Sequence, residues 1–125
     1  MKFTIEVKGV VPPSPNALIR KHWRFRWRAV KEWQEHLFFG LPVNQRNALR
    51  AAAGIKQVSI EMHRRRAILD PDNAYGCYKV ILDAGTKLCF WPDDSAAHVK
   101  LSVPVQVVVK DKKDVLTRVT IEVLP

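Results

Sequence analysis

Two short segments hold the residues whose types and spacing could do chemistry: Leu69-Asp70-Pro71-Asp72-Asn73 and, further on, Trp91-Pro92-Asp93-Asp94. They contain four of the chain's twelve acidic residues, in a protein with a formal net charge of +9. In an extended segment side chains two apart point the same way, and Pro71 pushes Asp70 toward that conformation. Asp70 and Asp72 can therefore face one point. Hard divalent cations such as Mg²⁺ take oxygen ligands and keep several waters, so two or three carboxylates suffice. Such a metal polarises a phosphoryl oxygen or activates an attacking water. Asp93 or Asp94 would complete the set if the Trp91–Asp94 turn folds back beside the first pair. A basic chain that gathers its few carboxylates in this way suits a metal-dependent nuclease. The same residues also suit a plain helix start at Asp70-Pro71-Asp72 and an ordinary solvated turn at Asp93-Asp94. Lys79 could reach back to neutralise charge developing on a phosphate, or could simply pair with Asp83 four residues on.

Basic residues cluster elsewhere. Between Arg20 and Arg66 the chain carries twelve Lys or Arg against Glu32, Glu35 and Glu61 alone, and its sequence pI is near 9.9. That distribution is the footprint of a nucleic-acid binder, although a positive face also serves solubility or other polyanions. Arg20, Lys21, Arg24 and Arg26 interleave with Trp23, Phe25 and Trp27. The cations can neutralise phosphates and exposed rings can stack on unpaired bases. Trp27 and Trp33 fall on helical spacing and are expected in the core, which leaves Trp23 and Phe25 as the stacking candidates. Arg64, Arg65 and Arg66, just before Asp70, would hold phosphates next to a metal. The four histidines show no metal-ligand spacing.

A chain of 125 residues is read as one domain, 1–125, and 47% hydrophobic residues give a globular composition. No apolar run approaches the roughly eighteen residues of a membrane span, and the N-terminus lacks a secretory signal pattern. Cys77 and Cys89 make neither a disulfide framework nor a paired zinc motif, which implies a reducing, cytoplasmic compartment.

The elements that must position these residues follow from periodicity. Lys2–Lys8 alternates as a strand, and Val11-Pro12-Pro13-Ser14-Pro15-Asn16 is a stiff loop excluded from regular structure. Trp23 to about Phe39 is a helix ended by Gly40 and Pro42, and Asn44–Ala53 adds a helical turn or two. Lys56–His63 is the second strand. A second long helix runs from Asp70-Pro71 to about Thr86, with Tyr75, Tyr78 and Leu82 as its apolar stripe. His98–Lys110 is a long strand in which Pro104 requires an edge or a bulge. Asp111–Asp114 is a hairpin turn into the last strand, Val115–Val123. The order β-α-β-α-β-β gives an α/β or α+β domain with a mixed four-stranded sheet and two main helices.

In this order, Pro12-Pro13-Ser14-Pro15-Asn16, Arg64-Arg65-Arg66, Leu69-Asp70-Pro71-Asp72-Asn73, Tyr75, Lys79, Leu82-Asp83 and Asp93-Asp94-Ser95 resemble the signature of the RusA-type Holliday-junction resolvases over nearly the whole chain. The resemblance implies a homodimer that binds four-way DNA junctions and nicks two strands symmetrically with Mg²⁺ or Mn²⁺. It implies Asp70, Asp72 and Asp94 as essential carboxylates, with Asp93 adjacent, and Lys79 as the essential lysine. The DNA-binding set then comprises Arg64, Arg65, Arg66, Arg20, Lys21, Arg24, Arg26 and Trp23, with Asn16 from the proline-rich loop. The chain departs from the family in two places: Lys79 stands about one helical turn further from Asn73, and Ala84-Gly85 replaces the usual Ala-Leu after Asp83. The competing functions are a less selective flap or fork nuclease and a non-catalytic junction-binding module with the same fold.

Overall fold

A computed structural model describes residues 1–19 and 21–125; Arg20, one of the expected DNA contacts, lies outside them. The chain begins with strand β1, Lys2–Lys8, where Phe3, Ile5 and Val7 are buried and the intervening polar residues are exposed. The three helices α1, Pro15–Leu18, α2, Trp23–Phe39, and α3, Val43–Ala51, come next, before strand β2, Lys56–Arg64. Two short helices, α4, Pro71–Gly76, and α5, Tyr78–Lys87, lead to strands β3, Val99–Leu101, and β4, Val105–Val108. A 3₁₀ turn at Lys112–Asp114 precedes strand β5, Leu116–Val123. The fold is α+β, as the periodicity implies.

Five strands form one mixed sheet rather than four. Strand β5 lies antiparallel between β1 and β2, while β3 and β4 both pair parallel to the other side of β2. The expected long strand from His98 is therefore one edge broken in two. Ser102, Val103 and Pro104 stand opposite only Ser59 and Ile60, which is a bulge at the proline. The extra residue reverses the facing of the strand beyond it. Leu101 lies beside Val58 on the helix-covered face, whereas Val105 and Val107 lie beside Glu61 and His63 on the open one. Asp111–Asp114 is not a hairpin turn, because β4 and β5 sit on opposite sides of β2 and the segment crosses that strand's end.

The core lies between the helices and one face of the sheet. Ile5, Val58, Ile60, Val119 and Ile121 meet Trp33 and Leu37 from α2 and Tyr78 and Ile81 from α5. Complete burial of a side chain such as Leu37 or Ile81 is worth about 1.5–3 kcal/mol relative to exposure. Three expectations about local structure change. Residues Pro15–Leu18 are helical, because Ser14 Oγ accepts from the Ala17 N–H at 3.3 Å and Pro15 needs no donor at the first position. The second long helix divides at Cys77 into α4 and α5. Trp27 is not a core residue: Trp33 is 2% exposed, but Trp27 is 52% exposed. Tyr75, expected on the apolar stripe, is likewise exposed, whereas Tyr78 and Leu82 are buried.

Candidate functional site

The first acidic pair sits at the start of α4. Asp70 is the N-cap, and its Oδ1 accepts from the Asp72 N–H at 3.0 Å, with Pro71 as the first helical residue. The helix-start reading of these residues is therefore realised, and both carboxylates remain exposed. The proline-rich loop is fastened to this start. The Asn16 N–H donates to Asn73 Oδ1 at 3.1 Å, and Gly76 lets Pro15 approach so closely that a Cβ there would overlap the proline ring. Gly76, which costs helix propensity, thus secures the contact between α1 and α4.

The second acidic pair reaches α5, which follows α4 directly at Cys77, by a different route. Trp91 is buried, and its Nε1 donates to the Leu82 carbonyl at 3.1 Å. Its ring occupies the space a side chain at Gly85 would need. That packing folds the turn after Trp91 back along α5. Asp94 Oδ2 then lies 3.2 Å from Lys79 Nζ, and Asp83 Oδ1 is also 3.2 Å from that nitrogen. Asp83 is in turn 3.9 Å from Arg26 on α2. Burial lowers the Lys79 pKa, but the bonds to Asp83 and Asp94 outweigh it and the net shift is upward, so the ammonium is held charged. Asp93 accepts from the Ser95 N–H at 2.9 Å and lies 3.9 Å from His98 Nε2. Hydrogen bonds from Ser95, with a smaller contribution from His98, hold its carboxyl below the usual aspartate value.

Two clefts flank Trp23 and Arg26. One, of about 450 Å³, is bordered by Trp27, Asp83, Asp93 and Asp94. The other, of about 500 Å³, is bordered by Pro13, Ile19, Lys21 and Lys79. The structure thus brings together Lys79, Asp94, Asp93, Arg26, Trp23 and Lys21. Arg24 stacks on Trp23 at 5.6 Å. The arginine run is placed elsewhere: Arg64, Arg65 and Arg66 border a separate hollow with Val11 and Lys112, and line neither cleft. Among the described residues no group of three or more His, Cys, Asp or Glu side chains is close enough to hold a metal ion.

Two participants differ from the sequence-based reading. Asp83 is offered by the sequence only as a surface partner of Lys79, yet it links that lysine to Arg26. Trp27, expected inside, lines the cleft with Asp93 and Asp94. The signal that could have revealed it is its place in the Arg26-Trp27-Arg28 run, where flanking charges favour the solvent side. No helix is long and apolar enough to cross a membrane among the described residues. No family model and no curated protein matches the chain.

Proposed function

We propose that this protein is a Mg²⁺-dependent, structure-specific DNA endonuclease that resolves Holliday junctions by paired symmetrical nicks, acting as a cytoplasmic homodimer. The observation that carries the reading is the Lys79 ammonium bonded to Asp94, on the helix that follows the α4 start made by Asp70 and Asp72. A solvated cation, a set of exposed carboxylates and a flanking basic helix are what phosphodiester hydrolysis on a polyanion requires.

The donor set suits a hard cation that keeps its own water, because Mg²⁺ is commonly held by only one or two carboxylates and its remaining ligands are solvent or substrate. Asp70 and Asp72 would hold it at the start of α4; Asp94, bonded to Lys79 and not grouped with them as a third ligand in the chain as it stands, is the further candidate, and Mn²⁺ would serve in place of Mg²⁺. Bound there, the metal would supply charge stabilisation and an activated water. Lys79 would neutralise charge on the scissile phosphate, and Asp93, fixed by Ser95, would orient the turn that carries Asp94. The DNA would lie across the first turn of α2 and the residues just before it, where Lys21, Trp23, Arg24 and Arg26 are exposed. Two copies related by a two-fold axis would suit the two-fold symmetry of a four-way junction. The broken β3–β4 edge, with Val105 and Val108 exposed, is a surface suited to joining them.

Incubation of the protein with a synthetic four-way junction and Mg²⁺ tests this reading. Paired nicks that disappear with chelator and in Asp72→Asn support it; no nicking, or nicking unchanged in Asp72→Asn, removes it. Comparison of junction, flap and plain duplex separates resolution from broader flap or fork cleavage. The absence of a three-carboxylate group among the described residues favours a second reading, a non-catalytic junction-binding module. It expects junction binding that ignores Mg²⁺ and tolerates Asp→Asn changes.

A further inference from the structure

The 500 Å³ cleft beside Trp23 has a composition that the metal chemistry does not explain. Its apolar lining includes Pro13, Pro15, Ile19 and Trp23, and among the described residues its charged lining is Lys21, Arg26 and Lys79, with no carboxylate. Trp23 is 66% exposed and Ile19 76% exposed, so both are accessible to an incoming group, although Arg24 and His22 already lie against the Trp23 ring. An apolar hollow of this size with a few convergent cations falls in the range of small-ligand sites. Lys79 belongs to this cleft, while Asp94, to which it bonds, borders the neighbouring one.

We infer that this cleft takes one unpaired nucleotide of the DNA, with the base stacked on Trp23 against the prolines and the phosphate among Lys21, Arg26 and Lys79. A flat base needs an aromatic shelf and an apolar wall, and its phosphate needs mobile cations. The lining of the one cleft supplies both. Two of these cations are loosely held, Arg26 at 3.9 Å from Asp83 and Lys21 over the Phe25 ring at 5.1 Å, whereas Lys79 is bonded at 3.2 Å to both Asp83 and Asp94 and would share its remaining donor with the phosphate. Stacking on a side chain tolerates any base, so the cleft selects for an unpaired nucleotide rather than for a sequence. This deepens the proposed function, since it rests on a DNA substrate, but it does not rest on cleavage. It places the captured phosphate at Lys79, one hydrogen bond from Asp94.

The test uses the whole protein in chelator, where nicking is absent and only binding is read. Tryptophan fluorescence is titrated with a short oligothymidylate and with an abasic oligomer of equal length and charge. Trp33 and Trp91 are buried, so quenching reports chiefly on Trp23 and Trp27. The expected result is quenching by the thymidylate, with affinity about 5- to 150-fold weaker in Trp23→Leu, as stacking of one base implies. The abasic oligomer should bind wild-type protein as weakly as the thymidylate binds Trp23→Leu. Lys21→Ala should weaken both oligomers and flatten the salt dependence. Equal affinity of the two oligomers for the wild type, or no change in Trp23→Leu, overturns the inference and leaves only a charged surface. Because Trp23 is largely exposed, Trp23→Leu is expected to retain the wild-type circular dichroism. If thymidylate binding behaves as stated while junctions are not nicked, the cleft stands and the nuclease reading fails.

Discussion

Replacement of Tyr78 by phenylalanine should destabilise the fold and, in alkali, erase part of the difference from wild type. Tyr78 is the first residue of α5 and is 1% exposed. Its hydroxyl oxygen accepts from the Ile60 N–H at 3.1 Å, and its proton is donated to the Ser102 carbonyl at 2.8 Å. It therefore ties α5 to the middle of β2 and to the bulge in the edge strand. Ser102 is otherwise anchored by its own side chain, whose Oγ lies 2.8 Å from Gln57 Nε2 and 2.9 Å from Ser59 Oγ. Tyr78→Phe keeps the ring and strands two backbone groups, the Ile60 donor and the Ser102 acceptor. An unsatisfied buried group costs about 1–3 kcal/mol. The Ser102 carbonyl is only part-buried and can recruit water. The net loss should be about 2–3 kcal/mol, most of it from Ile60.

The pH dependence supplies an independent check. Burial raises the Tyr78 pKa from 10.0 to about 12, opposed by the Ile60 hydrogen bond and assisted slightly by Tyr75. A group whose folded pKa is raised contributes stability that is complete below the unfolded value and lost as pH climbs through the folded one. At about 1.4 kcal/mol per pH unit, the interval from 10 to 12 corresponds to a loss of about 3 kcal/mol. The phenylalanine variant has no proton to lose there. Urea unfolding of both proteins at pH 8, 10 and 12 should therefore show a wild-type advantage of about 2–3 kcal/mol that closes across the last two points. An advantage below about 0.5 kcal/mol at pH 8 would show that neither hydrogen bond matters. A difference constant to pH 12 would refute the burial argument.

Lys79→Met should change stability by no more than about 1 kcal/mol, because the ammonium and its partners are substantially solvated, while junction nicking should fall by orders of magnitude; unfolding and gel assays on one preparation check both. Gly85→Ala should cost about 1–3 kcal/mol despite its gain in helix propensity, because the new methyl meets the Trp91 ring, and nicking should fall with it as Asp94 leaves Lys79. Asp93, whose folded pKa is lowered by its bonds from Ser95, contributes stability above the usual aspartate value that is lost as pH falls through the folded one. Asp93→Asn should flatten the stability profile below about pH 4, and an unchanged acid limb would show that the Ser95 turn contributes nothing.

Short-range pattern dictates the part of this structure that the sequence makes legible. The alternation of β1 and β2, the helix from Trp23 and the cap at Asp70 arise from periods and from local hydrogen-bonding chemistry. Pro104 marked an edge or a bulge, and both are present; the break into two strands and the reversed facing beyond it were not legible, because alternate valines at Leu101–Val109 read as one face unless the extra residue at Ser102–Pro104 is counted against a partner that only the sheet supplies. The same limit hid the crossing at Asp111–Asp114, since a turn sequence does not say on which side of β2 the next strand will pair. Trp27 misled for a related reason: its spacing is helical, but the stripe that α2 buries is Val30, Trp33 and Leu37, and the turn before it faces solvent. The meeting of Lys79 with Asp94 depends on Trp91 packing against Gly85, a contact between side chain and backbone that no spacing along the chain encodes.

That contact bears on the lysine's position in the chain. Shifting a catalytic lysine by nearly one helical turn would remove it from a site built only at the helix start, since a turn displaces a side chain by about 5.4 Å along the axis. Here the second acidic pair is not held by the helix start at all. It is carried by the turn after Trp91, and that turn is seated along α5 by a tryptophan that requires a glycine at position 85. Under the proposed resolvase reading, the two departures from the pattern the chain resembles, the later lysine and the glycine after Ala84, would be mechanically linked: the glycine admits the ring, the ring seats the turn, and the turn presents Asp94 to Lys79. The coupling is testable by a double-mutant cycle on nicking. Gly85→Ala and Lys79→Met should together cost little more than Lys79→Met alone, because either change breaks the same contact. Fully additive losses would show that the glycine and the lysine act separately, and that the later lysine position has no structural compensation in this chain.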